Sequence, residues 1–260
     1  MTTAGAEPGH IVAGKVLSDT GELLKKSFGT IWVIALILFI PVAILSYFSK
    51  DSAIINVIYL LALLLASLYM TGTMVRVVQD VEADGRVDAT VGELLGSVSP
   101  KLFSLLLLGI VTSILIAVGV VFLIIPGVIL ALMWFVAVPV LVAEDKGVFA
   151  AMSRSSELTK GNRWRLIWLI VIIYVLLFVV FFIIALLAAI TPILGVIGGV
   201  LIAIVIYPYL SIIIAVTYYE LLEANGESKP GPGVATMAPP SGEMPPPSGE
   251  MPPPSGEMPA

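Results

Sequence analysis

Few side chains in this sequence can bind charge or move protons, and many of those that can are gathered in one place. Residues 153–165 read SRSSELTKGNRWR and hold Arg154, Lys160, Arg163 and Arg165, four of the 13 lysines and arginines in a chain of 260 residues. Cations this close together can hold a phosphate, hold an anionic headgroup or a protein partner, or fix a loop on one side of a membrane. Acid–base chemistry would fall to loop carboxylates such as Glu144, Asp145 and Glu157. His10 is the one histidine and there is no cysteine, which excludes thiol catalysis, disulfides, cysteine metal sites and a Ser-His-Asp triad. The sequence is read as non-catalytic, with no metal, no cofactor and no nucleic-acid partner.

The elements that must carry these residues are membrane helices. Hydrophobic residues make up 59% of the chain and charged residues 12%, about half the usual share of charge. A bilayer core about 30 Å thick needs roughly 20 apolar residues at helical rise, and six stretches qualify: Phe28–Phe48, Ala53–Val75, Leu102–Ile124, Pro126–Val142, Trp164–Leu187 and Gly195–Tyr219. None alternates as a membrane barrel strand would. The fold class is therefore all-α, a polytopic bundle of six spans. Between the third and fourth spans only Ile125–Pro126–Gly127 offers a turn, so these two are read as a tight hairpin, and Pro139 leaves a re-entrant fourth segment open.

Charge placement predicts the orientation. Lys15, Lys25 and Lys26 precede the first span, Arg76, Arg86 and Lys101 follow the second, and Lys146 joins the basic run after the fourth. Lys229 follows the sixth, leaving Lys50 as the lone cation on the other side. That bias puts both termini in the cytoplasm, in a bacterial or archaeal inner or plasma membrane. Trp164 between Arg163 and Arg165 reads as an interfacial anchor. The N-terminus does not read as a secretory signal peptide.

The polar segments repeat. Residues 21–24 and 92–95 both read GELL, each shortly before an odd-numbered span. Val91, Leu94, Leu95, Val98 and Leu102 fall on one helical face, with Thr90 and Glu93 spaced for a capping box. Lys15, Asp19, Glu22 and Lys26 share one face, with Val16, Leu17, Leu23 and Leu24 on another. Val148, Phe149, Ala151 and Met152 offer a third, weaker apolar face, with Asp145 as its candidate cap. The predicted organisation is three units, each an interfacial helix followed by a transmembrane hairpin. Residues 1–27 form an N-terminal segment, 28–222 the membrane domain, and 223–260 a proline-rich tail repeating PPSGEMP, expected to be disordered.

No Asp, Glu, Lys, Arg or His lies in the interior of any proposed span, which argues against a proton relay. Ser67, Thr71, Thr73, Thr112, Ser113 and Ser211 are expected to bond within their own helices. Gly195, Gly199 and Ala203 have the spacing of close helix packing, internal or in a homo-oligomer. Pro41, Pro139 and Pro208 are expected to kink their helices.

The stretch from Leu123 to Leu169 resembles the glycerophosphoryl diester phosphodiesterase membrane-domain-like family. The likeness is carried by Pro126, Gly127, Pro139, Ala151, Arg154, Ser155, Leu158, Thr159, Gly161, Asn162 and Trp164. It implies a membrane domain without the catalytic barrel, whose histidines and carboxylates have no counterpart here. The function expected is the organisation of a protein partner or anionic lipid at the cytoplasmic face, with a carrier or flippase for a lipid or apolar solute as the alternative.

Overall fold

In the computed structural model, residues 10–48, 52–85, 87–191, 198 and 202–230 are described, and every regular element among them is helical. Three short helices, α1 (Ala13–Lys26), α4 (Val91–Val98) and α8 (Val148–Leu158), precede the long helices α2 (Phe28–Phe48), α5 (Leu102–Phe122) and α9 (Arg163–Ile190). The remaining elements are α3 (Ala53–Asp84), α6 (Ile124–Met133), α7 (Ala137–Ala143) and α10 (Tyr207–Ala224). Six segments are long and apolar enough to cross a membrane. The order of short helix and hairpin expected from the sequence holds, and the chain is an all-helical, six-span membrane fold.

Local chemistry explains the boundaries. Thr90 accepts the Glu93 N–H while the Glu93 carboxylate accepts the Thr90 N–H, closing the expected capping box at the start of α4. Ser52 caps α3 by accepting the Ile55 N–H at 3.5 Å. Gly85, at φ 83°, ends that helix in the left-handed region where glycine carries no Cβ penalty. The membrane hydroxyls turn inward as expected: Ser67, Thr73 and Thr112 donate to Leu64, Tyr69 and Leu108 carbonyls at 2.7–2.8 Å. Thr71 also reaches across to Ser211 Oγ at 3.2 Å, tying α3 to α10.

The hairpin differs from expectation in one place. The chain turns at Leu123, which is extended, and Pro126 and Gly127 lie inside the first turn of α6. Pro126 is tolerated there because N–H groups of the first turn have no acceptor within the helix, so a proline forfeits no helix bond. Gly127 is there because of packing: a Cβ would lie 2.7 Å from the Val120 backbone nitrogen. Gly119 faces it, 3.0 Å from Gly127 Cα by the same construction. The fourth segment is not one helix. A non-helical turn at 134–136 separates α6 from α7, where the ring of Pro139 would otherwise meet the carbonyl four residues earlier. Together the two pieces cover the 20 residues Ile124–Ala143, the length a crossing needs.

Pro41 lies within α2 without interrupting it. A π-helical turn, Ile202–Ile206, precedes Pro208 and lets the chain pass the proline. Ala203 belongs to that turn, whereas Gly195, Gly199, Lys50, Arg86 and the PPSGEMP tail lie outside the described residues. Gly198 makes a close approach of its own, since a Cβ there would lie 2.5 Å from Ile184.

Helix α10 is the centre of the bundle, with 61% of its most apolar stretch buried, against α1, α2, α3 and α7. Helix α9 is the peripheral one, at 11%. The short helices turn their apolar faces onto the bundle. Val16 and Thr20 of α1, Leu94 and Val98 of α4, and Ala151, Met152 and Leu158 of α8 are buried, while Phe149 is 72% exposed. Asp145 does not cap α8. The N-cap is Gly147, and Asp145 sits at φ 52° with its carboxylate 2.6 Å from Lys101 Nζ.

Candidate functional site

The charged residues meet at one end of the bundle, where α1, α4, α7, α8 and the end of α10 converge. Glu144, just past α7, is the hub. Its carboxylate receives Lys146 Nζ at 2.7 Å, Arg154 Nε at 3.3 Å and the Tyr218 hydroxyl at 3.0 Å. Arg154 also bonds Glu227 beyond α10. Burial opposes the charge of this guanidinium, but the two carboxylates outweigh it and hold its proton more firmly than usual. A second group closes the end of α7: the Val142 carbonyl accepts Arg76 Nη2 at 3.2 Å and Lys101 Nζ at 3.0 Å, cations placed at the negative end of a helix.

The basic run does not form one patch. Arg154 is held by its carboxylates. Arg165 donates from Nη1 to the Ile11 carbonyl at 3.0 Å, and Asn162 Oδ1 accepts the Ile11 N–H at 3.2 Å, so together they clamp the segment before α1. Gly161, at φ 89°, makes the left-handed step that aims Asn162 inward. Lys160 is exposed and makes no ion pair among the described residues. Arg163 is half-buried, and its Nε has no hydrogen-bond partner. Trp164 is 69% exposed at the start of α9.

Ser155, Leu158 and Thr159 are buried and serve the fold. Ser155 Oγ donates to the Met133 carbonyl, Thr159 Oγ1 to the Ser156 carbonyl, and Asn225 Nδ2 to the Leu158 carbonyl. Sequence reasoning missed Glu144 as the hub, and with it Tyr218 and Glu227, because their partners lie 74 and 73 residues away. A carboxylate directly after an apolar run was the one available signal.

Beside the charged end lies an apolar cleft of about 450 Å³, between α6, α9 and α10. Val128, Leu132, Ile167, Ile170, Tyr174 and Leu177 are among its walls. Its α9 wall repeats at helical spacing, and one turn further back that stripe begins at Arg163. Among the described residues, no three histidine, cysteine, aspartate or glutamate side chains come together as metal ligands would.

Six apolar helices, an ion-paired face and a cleft at membrane depth define a multi-pass integral membrane protein. The chain matches the uncharacterised protein family UPF0259 over residues 53–219, more than half its length, and it belongs to that family. It is 33% identical over 101 residues to a UPF0259 membrane protein of Pectobacterium carotovorum subsp. carotovorum (strain PC1). That alignment covers 39% of this chain and 40% of the relative, so the chain spans less than half of the protein it matches. No solved structure matches.

These findings overturn the resemblance to the glycerophosphoryl diester phosphodiesterase membrane-domain-like family, for which no link is shown. Much of what carried it is architectural. Pro126 and Gly127 sit in the first turn of α6 after the turn at Leu123, Pro139 breaks a helix, Ser155 and Asn162 fill main-chain bonds, and Gly161 makes a left-handed turn. Such features mark a way of folding in a membrane and carry no particular chemistry.

Proposed function

We propose that the protein is a non-catalytic organiser of anionic lipid at the cytoplasmic face of a bacterial or archaeal inner membrane, with both termini cytoplasmic. One observation carries the reading: the apolar cleft's α9 wall runs back along one stripe to Arg163, a cation whose Nε has no partner. A lipid acyl chain suits the cleft, which is lined almost wholly by apolar side chains on membrane-spanning helices. A headgroup phosphate supplies the acceptors that Arg163 lacks, with Lys160 exposed three residues earlier in the chain. The orientation is supported by the cations gathered at this same end, Lys15, Lys101, Lys146 and Arg154.

Native mass spectrometry of the gently extracted protein tests the reading. An anionic phospholipid retained by the wild type and by Arg154→Ala, but lost from Arg163→Ala, is the expected result. Equal lipid retention in all three would remove the site. A stoichiometric protein partner, or a second copy of the chain, in place of lipid would make it an assembly factor. The same cleft also suits the rival reading, a carrier or flippase for a lipid or apolar solute. Flux in liposomes, independent of a proton gradient and blocked by filling the cleft with Ala131→Phe, would favour that rival.

A further inference from the structure

A second cavity, of about 190 Å³, lies between α3 and α4. Arg76, Gln79, Asp80, Ala89, Glu93, Leu94 and Ser97 line it. Gln79 is only 2% exposed, and its Nε2 has no partner. Arg76 Nε is likewise buried and unpartnered, as is the hydroxyl of Tyr219, which neighbours both residues. The rest of these side chains is already engaged. Arg76 Nη1 donates to Gln79 Oε1 at 2.9 Å, and Arg76 Nη2 donates to the Val142 carbonyl. The bond through Oε1 turns the Gln79 amide donors away from Arg76 and toward the Tyr219 hydroxyl, whose oxygen can take one of them. Even with the Tyr219 oxygen taking one Gln79 N–H, Arg76 Nε and the second Gln79 N–H remain buried donors without an acceptor. Native folds rarely leave even one so, since each costs about 1–3 kcal/mol.

The other wall has the opposite character. Asp80 Oδ2 accepts the Asp88 and Ala89 N–H groups at 2.8 and 3.0 Å. Glu93 Oε2 accepts from Thr90 N and Oγ1, both at 2.8 Å. Each carboxylate keeps a second oxygen with acceptor capacity. A bare phosphate would meet the donors of Arg76 and Gln79 but would also face two carboxylates across a small cavity. A bare amine would leave the donors unmet.

We propose that this cavity binds a zwitterion, its phosphate oxygens on Arg76 and Gln79 and its ammonium toward Asp80 and Glu93. Phosphoethanolamine has that pattern, either as the headgroup of a membrane lipid or as a free solute. The proposal is independent of the lipid reading at Arg163.

The test uses the full chain in a maltoside detergent. Calorimetric titration with phosphoethanolamine, glycerol 3-phosphate and ethanolamine measures the free solutes, and native mass spectrometry from nanodiscs containing phosphatidylethanolamine measures the lipid. Phosphoethanolamine is expected to bind at least tenfold more tightly than either half-ligand, and Gln79→Met to weaken it at least tenfold. Glu93→Gln keeps a residue able to close the capping box, so the fold is preserved while the carboxylate is lost. That variant is expected to narrow the preference for phosphoethanolamine over glycerol 3-phosphate. Retention of phosphatidylethanolamine without solute binding, again lost in Gln79→Met, would assign the site to the lipid. Arg163→Ala should leave all of this unchanged. Wild-type protein that binds neither source, or variants that bind as the wild type does, would overturn the proposal and leave ordered water as the occupant.

Discussion

The Ser155 hydroxyl donates to the main-chain carbonyl of Met133 at 2.8 Å, joining α8 to the end of α6. In an unbroken helix that carbonyl would take the Ala137 N–H, which here bonds Trp134 at 3.1 Å. The turn before Pro139 thus creates an unmet acceptor, and a serine 22 residues later fills it. Ser155→Ala should lower stability by about 1–3 kcal/mol, the cost of stranding a buried carbonyl. Thermal unfolding in detergent reads this directly, and a wild-type midpoint would mean that water substitutes for the hydroxyl.

Two glycines make a contrasting pair. At Gly127 an added Cβ would meet backbone, 2.7 Å from Val120 N and 2.9 Å from Val120 Cα, and backbone cannot step aside as a side chain can. Gly127→Ala should destabilise the hairpin by at least ~1–3 kcal/mol. At Gly92, in the second GELL copy, a Cβ meets nothing within 4 Å. Gly92→Ala should therefore be neutral or stabilise α4 by up to about 1 kcal/mol. Comparing the two unfolding midpoints checks both signs at once. The same open space surrounds Gly21, so packing does not require the glycine of either GELL copy.

The parts legible in the sequence are those set by local periodicity. The first span, Phe28–Phe48, coincides with α2, and the α4 capping box follows from Thr90 and Glu93 alone. The fourth span was legible in extent but not in its break, because the break frees the Met133 carbonyl and its partner, Ser155, comes from a separate helix. The basic run was visible as composition, yet its four members do different work. Arg154 meets Glu144 and Glu227, and Arg165 meets Ile11, a residue 154 positions away. Spacing along one helix does not encode such partners. The donor cluster of Arg76, Gln79 and Tyr219 was hidden for the same reason: Tyr219 comes from α10.

Separating those four cations yields a third prediction. Arg154 has a side-chain exposure of 19% and braces Glu144 to Glu227, so Arg154→Ala should cost ~1–3 kcal/mol, as for hydrogen bonds to charged groups. Arg154→Lys should recover only part of the loss, since an ammonium cannot reproduce the fork of a guanidinium. Arg163→Ala removes no ion pair among the described residues and should leave stability within about 0.5 kcal/mol of wild type. Equal destabilisation by Arg154→Ala and Arg163→Ala would show that Arg163 is a brace as well.

Acid should loosen the loop after α7. The Asp145 carboxyl is held below its ordinary value of 3.8, first by its hydrogen bond to Lys101 and then by the charge of that same residue. A carboxyl with a depressed folded value stabilises the fold while ionised. Its contribution is therefore complete above about pH 5 and fades as the pH falls through 3.8 toward the lower folded value. Asp19 works in the opposite direction, because burial raises its carboxyl and favours the protonated form at low pH. A raw acid-unfolding curve mixes the two, so the informative quantity is the difference between wild type and Asp145→Asn. That difference should be present at pH 7 and shrink progressively as the pH falls below 3.8. It should also be reduced by high salt, because the Asp145 side chain is 59% exposed and open to screening. A difference that stays constant across this range would mean that the carboxylate's charge is not what holds Lys101 against the end of α7.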